Sequence, residues 1–187
     1  MKNKPLISII MNCYNGQEFL KHSIESVISQ TYKNWELIFW DNKSTDNSSK
    51  ILKKYKDKRI KYFYAKKKTT LYEARNLAIK KSKGEFIGFL DVDDFWIKNK
   101  LELQVPLFQE NKVGLVYSNF YKLYKNKKKL AYKNDLPSGK VTRQIIKNYQ
   151  IGILTVMLRK SFLNKNKLFD FKYDLLSDFD FILNFSQ

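Results

Sequence analysis

Short apolar runs alternate with amphipathic stretches through the first half of the chain, and this alternation constrains the fold more than any other feature. Four strands are predicted, at Leu6–Cys13, Trp35–Trp40, Ile60–Ala65 and Glu85–Leu90. Three helices are predicted between them, over Glu18–Gln30, from Ser44–Asp46 to about Tyr55, and over Leu71–Ser82. This order predicts an α/β fold with a mostly parallel central sheet, right-handed crossovers and flanking helices.

The ends of these elements carry capping signals, and the second half of the chain is less regular. Ser44, Thr45 and Asp46 are N-cap candidates for the second helix, and Gly84 is predicted to stop the third. Further on, the sequence predicts helices over Lys98–Gln109, Val141–Tyr149 and Asp178–Phe185, strands over Val113–Ser118 and Leu154–Arg159, and an exposed hairpin over residues 119–134. Since no linker divides the chain, residues 1–187 are predicted to form one domain.

Three carboxylates directly follow the fourth predicted strand, in the segment Leu90-Asp91-Val92-Asp93-Asp94. In an extended backbone Asp91 and Asp93 point to the same side, where they repel each other unless a cation lies between them. Oxygen ligands suit Mg²⁺ or Mn²⁺, and proteins commonly bring such ions to phosphates with one or two carboxylates. The segment therefore predicts a divalent metal site and a phosphate-bearing ligand; the alternative is a solvated acidic turn.

The net charge of +18 predicts an affinity for anions. The types of basic residue, however, argue against a surface dedicated to phosphate recognition. Only Arg59, Arg75, Arg143 and Arg159 are arginines, and the remaining basic residues are lysines. Arginine is usually preferred where phosphates are recognised bidentately. A positive field still favours nucleotides, anionic lipids or nucleic acid as partners.

Single cysteine and histidine residues exclude two classes of protein. Cys13 alone cannot form an internal disulfide framework and fits a reducing compartment. His22 alone excludes a His-rich zinc site. The apolar run near the N-terminus is too short for a signal peptide or a membrane span. We therefore expect a cytoplasmic protein, with any membrane contact peripheral and at the inner face.

Five motifs occur together in the first half of the chain. They are Ile7-Ser8-Ile9-Ile10 leading into Asn12-Cys13-Tyr14-Asn15-Gly16, Ser26–Tyr32, Trp40–Asp46, Glu73-Ala74-Arg75-Asn76, and Gly84–Asp94. In this order they resemble the family 2 glycosyltransferases of the GT-A fold, bacterial enzymes that build surface polysaccharides. The resemblance is dense over residues 5–100 and thinner beyond.

The resemblance implies roles for residues that contact the nucleotide. Tyr14 is expected to stack on the base. The loop after the second strand usually carries two adjacent acids that read the base, and here it carries Asp41 and Asn42, so one acid is an amide that can both donate and accept. Arg75 is expected near the diphosphate, since a guanidinium is its natural partner.

The resemblance also implies the catalytic groups. Asp93 is expected to bind Mn²⁺ or Mg²⁺, Asp91 to contact the ribose or the metal, and Asp94 to orient the sugar. Asp178 is expected to be the general base, although Ser177 replaces the glutamate that the family carries before it. A carboxylate at a helix N-terminus has its pKa lowered, so Asp178 needs an apolar site to gain basicity.

The implied activity is metal-dependent, inverting transfer of a sugar from a nucleoside-diphosphate sugar to a hydroxyl of a glycan or lipid-linked acceptor. Residues 1–95 would bind the nucleotide and residues 96–187 the acceptor, with a truncated C-terminus expected.

Three alternatives stay open. A nucleotidyltransferase would be expected to open with a Gly-rich loop, where this chain has Asn12–Gly16. A donor-binding fragment without turnover and a basic nucleic-acid-binding protein are the other two.

Overall fold

A six-stranded, mostly parallel sheet forms the centre of the protein, in the order β3-β2-β1-β4-β8-β5. The computed structural model describes residues 4–125, 127–163, 168–173 and 176–185. The strands are β1 Ile7–Cys13, β2 Trp35–Asp41, β3 Ile60–Tyr64, β4 Phe86–Phe89, β5 Leu115–Val116, β6 Tyr121–Tyr124, β7 Lys127–Leu130 and β8 Met157–Arg159. β1 to β4 pair in parallel, while β8 runs antiparallel to both β4 and β5. The predicted fold class is confirmed.

Six α-helices lie in the described parts of the chain: α1 Leu20–Ile28, α2 Ser48–Leu52, α3 Leu71–Ile79, α4 Lys100–Gln104, α5 Thr142–Lys147 and α6 Ser177–Phe185. Short 3₁₀ helices follow at Val105–Phe108, Ile153–Thr155 and Lys160–Phe162. No helix among the described residues is long and apolar enough to cross a membrane.

Both faces of the sheet are covered, which explains why every residue of β1 and β2 is buried. One face packs against Leu20, Ile24 and Val27 of α1. The opposite face packs against Ala74 and Ala78 of α3. A parallel strand that is covered on both sides reads as a continuous apolar run, which is the pattern seen in the sequence.

Gly84 does not stop α3, contrary to the prediction. The helix ends at Ile79, and Gly139 is the only glycine with a positive φ among the described residues. Gly84 instead allows the chain entering β4 to approach β1, since an added Cβ would lie 2.5 Å from the backbone nitrogen of Ser8. The glycine is needed for close backbone packing, not for a left-handed turn.

In the second half of the chain the observed helices and strands are shorter than predicted. The helix predicted over Lys98–Gln109 is α4 followed by a 3₁₀ helix, because Pro106 has no N–H with which to continue an α-helix. The strand predicted over Leu154–Arg159 is reduced to β8, and its first residues form a 3₁₀ helix. Of Val113–Ser118 only β5 is extended. The predicted hairpin is present as the separate pair β6–β7.

A buried lysine lies in α4. The Nζ atom of Lys100 donates to Oε1 of Gln104 at 2.6 Å and lies 4.2 Å from the centre of the Trp96 ring. Burial lowers the pKa of Lys100 to about 7. Gln104 in turn donates to the carbonyl of Thr155 at 2.8 Å, which ties α4 to the segment that leads into β8.

Candidate functional site

An open cavity of about 210 Å³ lies beyond the carboxyl end of β1. Ligands of α/β sheets bind at this edge. The lining residues are Asn12, Cys13, Tyr14, Asn42, Lys68, Thr69, Leu71 and Ala74. The Tyr14 ring is 46% exposed, and the Lys68 ammonium lies 3.6 Å from its centre. A flat ring beside a cation suits a ligand that has an aromatic part and a negative charge.

Asp41 and Asn42 are both buried and both engaged by the protein. The Asp41 carboxylate accepts from the Ser44 N–H at 2.7 Å and from the Tyr62 hydroxyl at 2.9 Å. The Asn42 amide accepts from the N–H and hydroxyl of Thr69, at 3.1 Å each, and donates to the Thr69 carbonyl at 2.8 Å. Of the two residues only Asn42 lines the cavity.

Hydrogen bonds join the loop after β1 to the loop after β2. Asn15, whose φ is +54°, donates its N–H to the Ser44 hydroxyl at 3.1 Å and accepts from the Thr45 N–H at 2.8 Å. The Gln17 N–H donates to Asp46 at 2.9 Å. Ser44 and Thr45 therefore join two loops, and do not cap α2 as predicted. Of the three candidates, Asp46 alone accepts from the first N–H of α2, at 2.9 Å.

The acidic segment after β4 is a turn. The strand ends at Phe89, and the Asp94 N–H donates to the Asp91 carbonyl at 3.1 Å. The Ser23 hydroxyl of α1 is 2.6 Å from the carbonyls of both Val92 and Asp94, which holds the turn against the helix. The prediction that Asp91 and Asp93 project from one side of an extended strand is therefore wrong.

Arg75 links the acidic turn to α6. Its side chain is only 2% exposed, and its Nη2 atom donates to both oxygens of Asp91, at 2.9 and 2.7 Å. Its Nη1 atom donates to Oδ1 of Asp178 at 2.6 Å. The guanidinium also lies 5.5 Å from the ring centres of Tyr72 and Phe169. Arg75 therefore binds two carboxylates and is not part of the cavity lining.

The carboxylates around Arg75 differ in their electrostatic surroundings. Burial raises the pKa of Asp178, Arg75 opposes this effect and Asp91 adds to it. Burial, followed by repulsion from Asp91 and Asp93, raises the pKa of Asp94 to about 6. Within the described ranges no cation pairs with the carboxylates of Asp93 and Asp94, so these are the groups here that could hold a divalent ion.

The structure brings part of the predicted site together and adds residues that were not predicted. Asp91 and Asp178 share Arg75, while Tyr14 and Asn42 share the cavity. The cavity also contains Asn12, whose amide nitrogen and oxygen are buried and have no partner among the described residues. A polar residue at the end of an apolar strand was the available signal for Asn12. Lys68 and Thr69 lie in a stretch without a motif.

The chain is similar in sequence to known glycosyltransferases. The profile described as glycosyl transferase family 2 matches residues 8–169. The Escherichia coli protein named UDP-Glc:alpha-D-GlcNAc-diphosphoundecaprenol beta-1,3-glucosyltransferase WfgD is 39% identical over 159 residues, which are 85% of this chain and 62% of WfgD. The putative teichuronic acid biosynthesis glycosyltransferase TuaG of Bacillus subtilis is 32% identical over 157 residues, 83% of this chain and 62% of TuaG.

Solved structures share the fold. S. aureus TarS 1-349 in complex with UDP superimposes with a TM-score of 0.75 at 22% identity, over 94% of this chain and 53% of TarS 1-349. The mannosyltransferase PcManGT of Pyrobaculum calidifontis, in complex with GDP-Man and Mn²⁺, gives 0.68 at 16% identity, over 90% of this chain and 48% of its own. The chain spans about three fifths of the length of WfgD and TuaG. With a family profile matched over most of its length and a GT-A fold, the chain belongs to glycosyl transferase family 2.

Proposed function

We propose that the protein transfers a sugar from a nucleoside-diphosphate sugar to a hydroxyl of a glycan or lipid-linked acceptor. The observation that carries this proposal is the ion-pair network of Arg75, which holds Asp178 of α6 beside the acidic turn after β4. The carboxylate of Asp178 and those of the turn thus lie near one another at the carboxyl end of the sheet. Membership of the family supports the same reaction class.

The donor is proposed to bind with its base in the cavity beside Tyr14. The partnerless amide of Asn12 can offer a donor and an acceptor to the edge of a base, and Asn42, held by Thr69, lines the same cavity. The name of WfgD specifies UDP-Glc, and TarS was crystallised with UDP, so a uridine nucleotide is the first candidate. Arg75, predicted to contact the diphosphate, has its Nη1 and Nη2 atoms on Asp178 and Asp91, which makes Lys68 the better candidate for a phosphate.

A divalent cation fits the acidic turn. Asp93 and Asp94 supply hard oxygen ligands. Burial, and after it the charges of Asp91 and Asp93, raise the pKa of Asp94 to about 6, while Arg75 lowers it. Asp91, predicted as a second ligand, has both oxygens on Arg75. No three His, Cys, Asp or Glu side chains in the described ranges could hold a metal, which suits an ion that the ligand's phosphates help to bind. Such an ion would neutralise the leaving diphosphate.

Asp178 is proposed to act as the general base of an inverting displacement. The acceptor hydroxyl gives its proton to Asp178, its oxygen forms a bond to the anomeric carbon, and the bond from that carbon to the diphosphate breaks. Arg75 holds Oδ1 of Asp178 and leaves Oδ2 for the proton. Burial raises the pKa of this carboxyl, which counteracts its position in the first turn of α6. No covalent intermediate is required, so this mechanism assigns no catalytic role to Cys13.

Calorimetry tests the donor site. The wild-type chain should bind UDP more tightly with Mn²⁺ than without it, and GDP serves as the comparison. The variant Asp93→Asn should lose the effect of Mn²⁺, whereas Asp135→Asn, which neutralises an exposed acid outside the turn, should retain it. A folded wild-type chain that binds neither nucleotide contradicts the proposal.

Product formation tests the catalytic step separately. Asp178→Asn should bind UDP as the wild type does but form glycosylated product at least about 100-fold more slowly, the usual contribution of a general base. Equal rates would remove Asp178 as the base. UDP binding by the wild type without any product would favour the donor-binding alternative. Metal-independent, steeply salt-dependent binding of DNA would favour the nucleic-acid alternative.

A further inference from the structure

The β6–β7 hairpin has a fixed base and a free, exposed body. At its base the Ala131 N–H donates to the Phe120 carbonyl at 2.8 Å, and the Asn119 side chain bonds the backbone of Tyr132 at 2.7 and 3.3 Å. The Phe120 and Tyr132 rings meet edge to face, 6.0 Å apart. All eight residues of the two strands are exposed. An isolated two-stranded ribbon of this kind is marginally stable by itself.

The two faces of the hairpin differ in chemistry. Pairing places Lys122 opposite Lys129 and Tyr124 opposite Lys127 on one face. The other face carries the pairs Tyr121–Leu130 and Leu123–Lys128. The first face is therefore mainly cationic and the second mainly apolar. The exposed fractions of Tyr121, Leu123 and Tyr124 are 59%, 48% and 71%.

The positive charge of this hairpin is not neutralised by acidic residues within it. Residues 119–134 include six lysines and no acidic residue. Lys122 and Lys129 lie directly across the ladder, an arrangement that repels. Lysines on edge strands can prevent sheet-to-sheet pairing, but that function does not require exposed tyrosine and leucine beside them. An anionic partner relieves the repulsion, and a partner with an apolar layer also covers the second face.

We propose that the β6–β7 hairpin docks the protein on the surface of an anionic lipid membrane. The apolar face would lie against the membrane, with Tyr121, Leu123 and Leu130 in the interface, where amphipathic aromatic rings are favoured, and Lys128 of the same face on the headgroups. The lysines of the opposite face would reach the headgroups past the edges of the ribbon through their long side chains. Nucleic acid fits less well, because residues 119–134 contain no arginine and four of the eight strand residues are tyrosine or leucine. This inference does not rest on sugar transfer, since it concerns the hairpin alone.

Vesicle sedimentation of the whole chain tests the proposal. Wild type should sediment with phosphatidylcholine vesicles that contain phosphatidylglycerol and stay in solution with phosphatidylcholine alone. Since each lysine near an anionic surface strengthens binding about five-fold, K127Q/K128Q/K129Q should weaken it by about 100-fold. The matched control K53Q/K54Q/K56Q removes the same charge from exposed lysines elsewhere and should weaken binding much less.

Two further measurements separate the apolar contribution and the competing partner. Y121S/L123S keeps the charge and should weaken vesicle binding at high salt as well as at low salt. Circular dichroism of each variant establishes that it is folded. Equal losses in the two lysine triples would overturn the proposal, because binding would then follow net charge alone. Hairpin-dependent binding of duplex DNA with unchanged vesicle binding would also overturn it and assign the hairpin to nucleic acid.

Discussion

Replacing Arg75 by methionine should destabilise the protein strongly, because it leaves Asp91 and Asp178 without their cation. Methionine fills a similar volume and keeps contact with the Tyr72 and Phe169 rings, so the main loss is electrostatic. Removing one partner of a buried ion pair typically costs about 3–5 kcal/mol. The Asp91 and Asp178 side chains are 28% and 27% exposed, so water solvates them in part. We therefore expect the lower end of the range, about 3 kcal/mol.

This free energy converts into a measurable change in melting temperature. In a chain of this size 1 kcal/mol corresponds to about 2–4 °C, so the midpoint of Arg75→Met should fall by about 6–12 °C. Circular dichroism gives the midpoint, and tryptophan fluorescence in urea gives the free energy of unfolding. The deficit should shrink as the pH falls, because burial raises the pKa of Asp178 and protonation of this carboxyl removes part of the uncompensated charge.

Two variants test the physical reasoning behind this estimate. Lys112→Met breaks the exposed pair with Glu110, whose side chains are 84% and 65% exposed, and should leave the midpoint unchanged. Combining Arg75→Met with Asp91→Asn and Asp178→Asn removes the stranded charges and should restore most of the lost stability. If the combined variant is less stable than Arg75→Met, the cost lies in packing or hydrogen bonding, and the electrostatic argument is refuted.

Four further substitutions can be measured by urea unfolding. Gly84→Ala should cost about 2–3 kcal/mol because its Cβ would meet the backbone of β1, whereas Gly139→Ala has open space and should cost about 1 kcal/mol through its positive φ. Asp94 binds its proton more tightly when folded, so it contributes stability below pH ~4 that is lost as the pH rises through about 6. Asp94→Asn, in EDTA, should therefore exceed the wild type by about 1–2 kcal/mol at neutral pH, and no gain there would contradict the raised pKa. Lys100 has a lowered pKa, so its contribution is complete above pH ~10 and is lost as the pH falls towards 7. The wild type should gain roughly 1 kcal/mol per pH unit between pH 7 and 9 relative to Lys100→Met, and parallel curves would show that Lys100 is charged when buried.

The first half of the fold could be predicted because its signals are local. Each strand from β1 to β4 is a short apolar run, and α1 and α3 have an apolar face that reads from the sequence. Gly84 shows the limit of this approach. Its neighbours along the chain resemble a helix end, but its function depends on the Ser8 backbone, which is 76 residues away in sequence. The local sequence pattern gives no information about this close contact between the two backbone segments.

In the candidate site, too, some features could be predicted from local sequence and others depend on residues that are distant along the chain. The acidic turn could be found because it follows a buried strand directly, although its turn conformation depends on Ser23 of α1. The link from Arg75 to Asp178 joins residues that are 103 positions apart, so no spacing rule could have predicted it. The resemblance to the family named both residues, but it predicted Arg75 at the diphosphate and not between two carboxylates.

The insertion of β8 between β4 and β5 has a consequence for biosynthesis. The four parallel strands are complete in the nascent chain once Phe89 has emerged, but the free edge of β4 must wait for Met157–Arg159. At about 5–20 residues per second the ribosome needs roughly 3–13 s to supply the 67 intervening residues, 90–156. Throughout that interval the edge carries Phe86 and Ile87 with unpaired backbone groups, and such an edge is a template for other chains. Intermolecular pairing during translation is therefore a hazard that this topology creates.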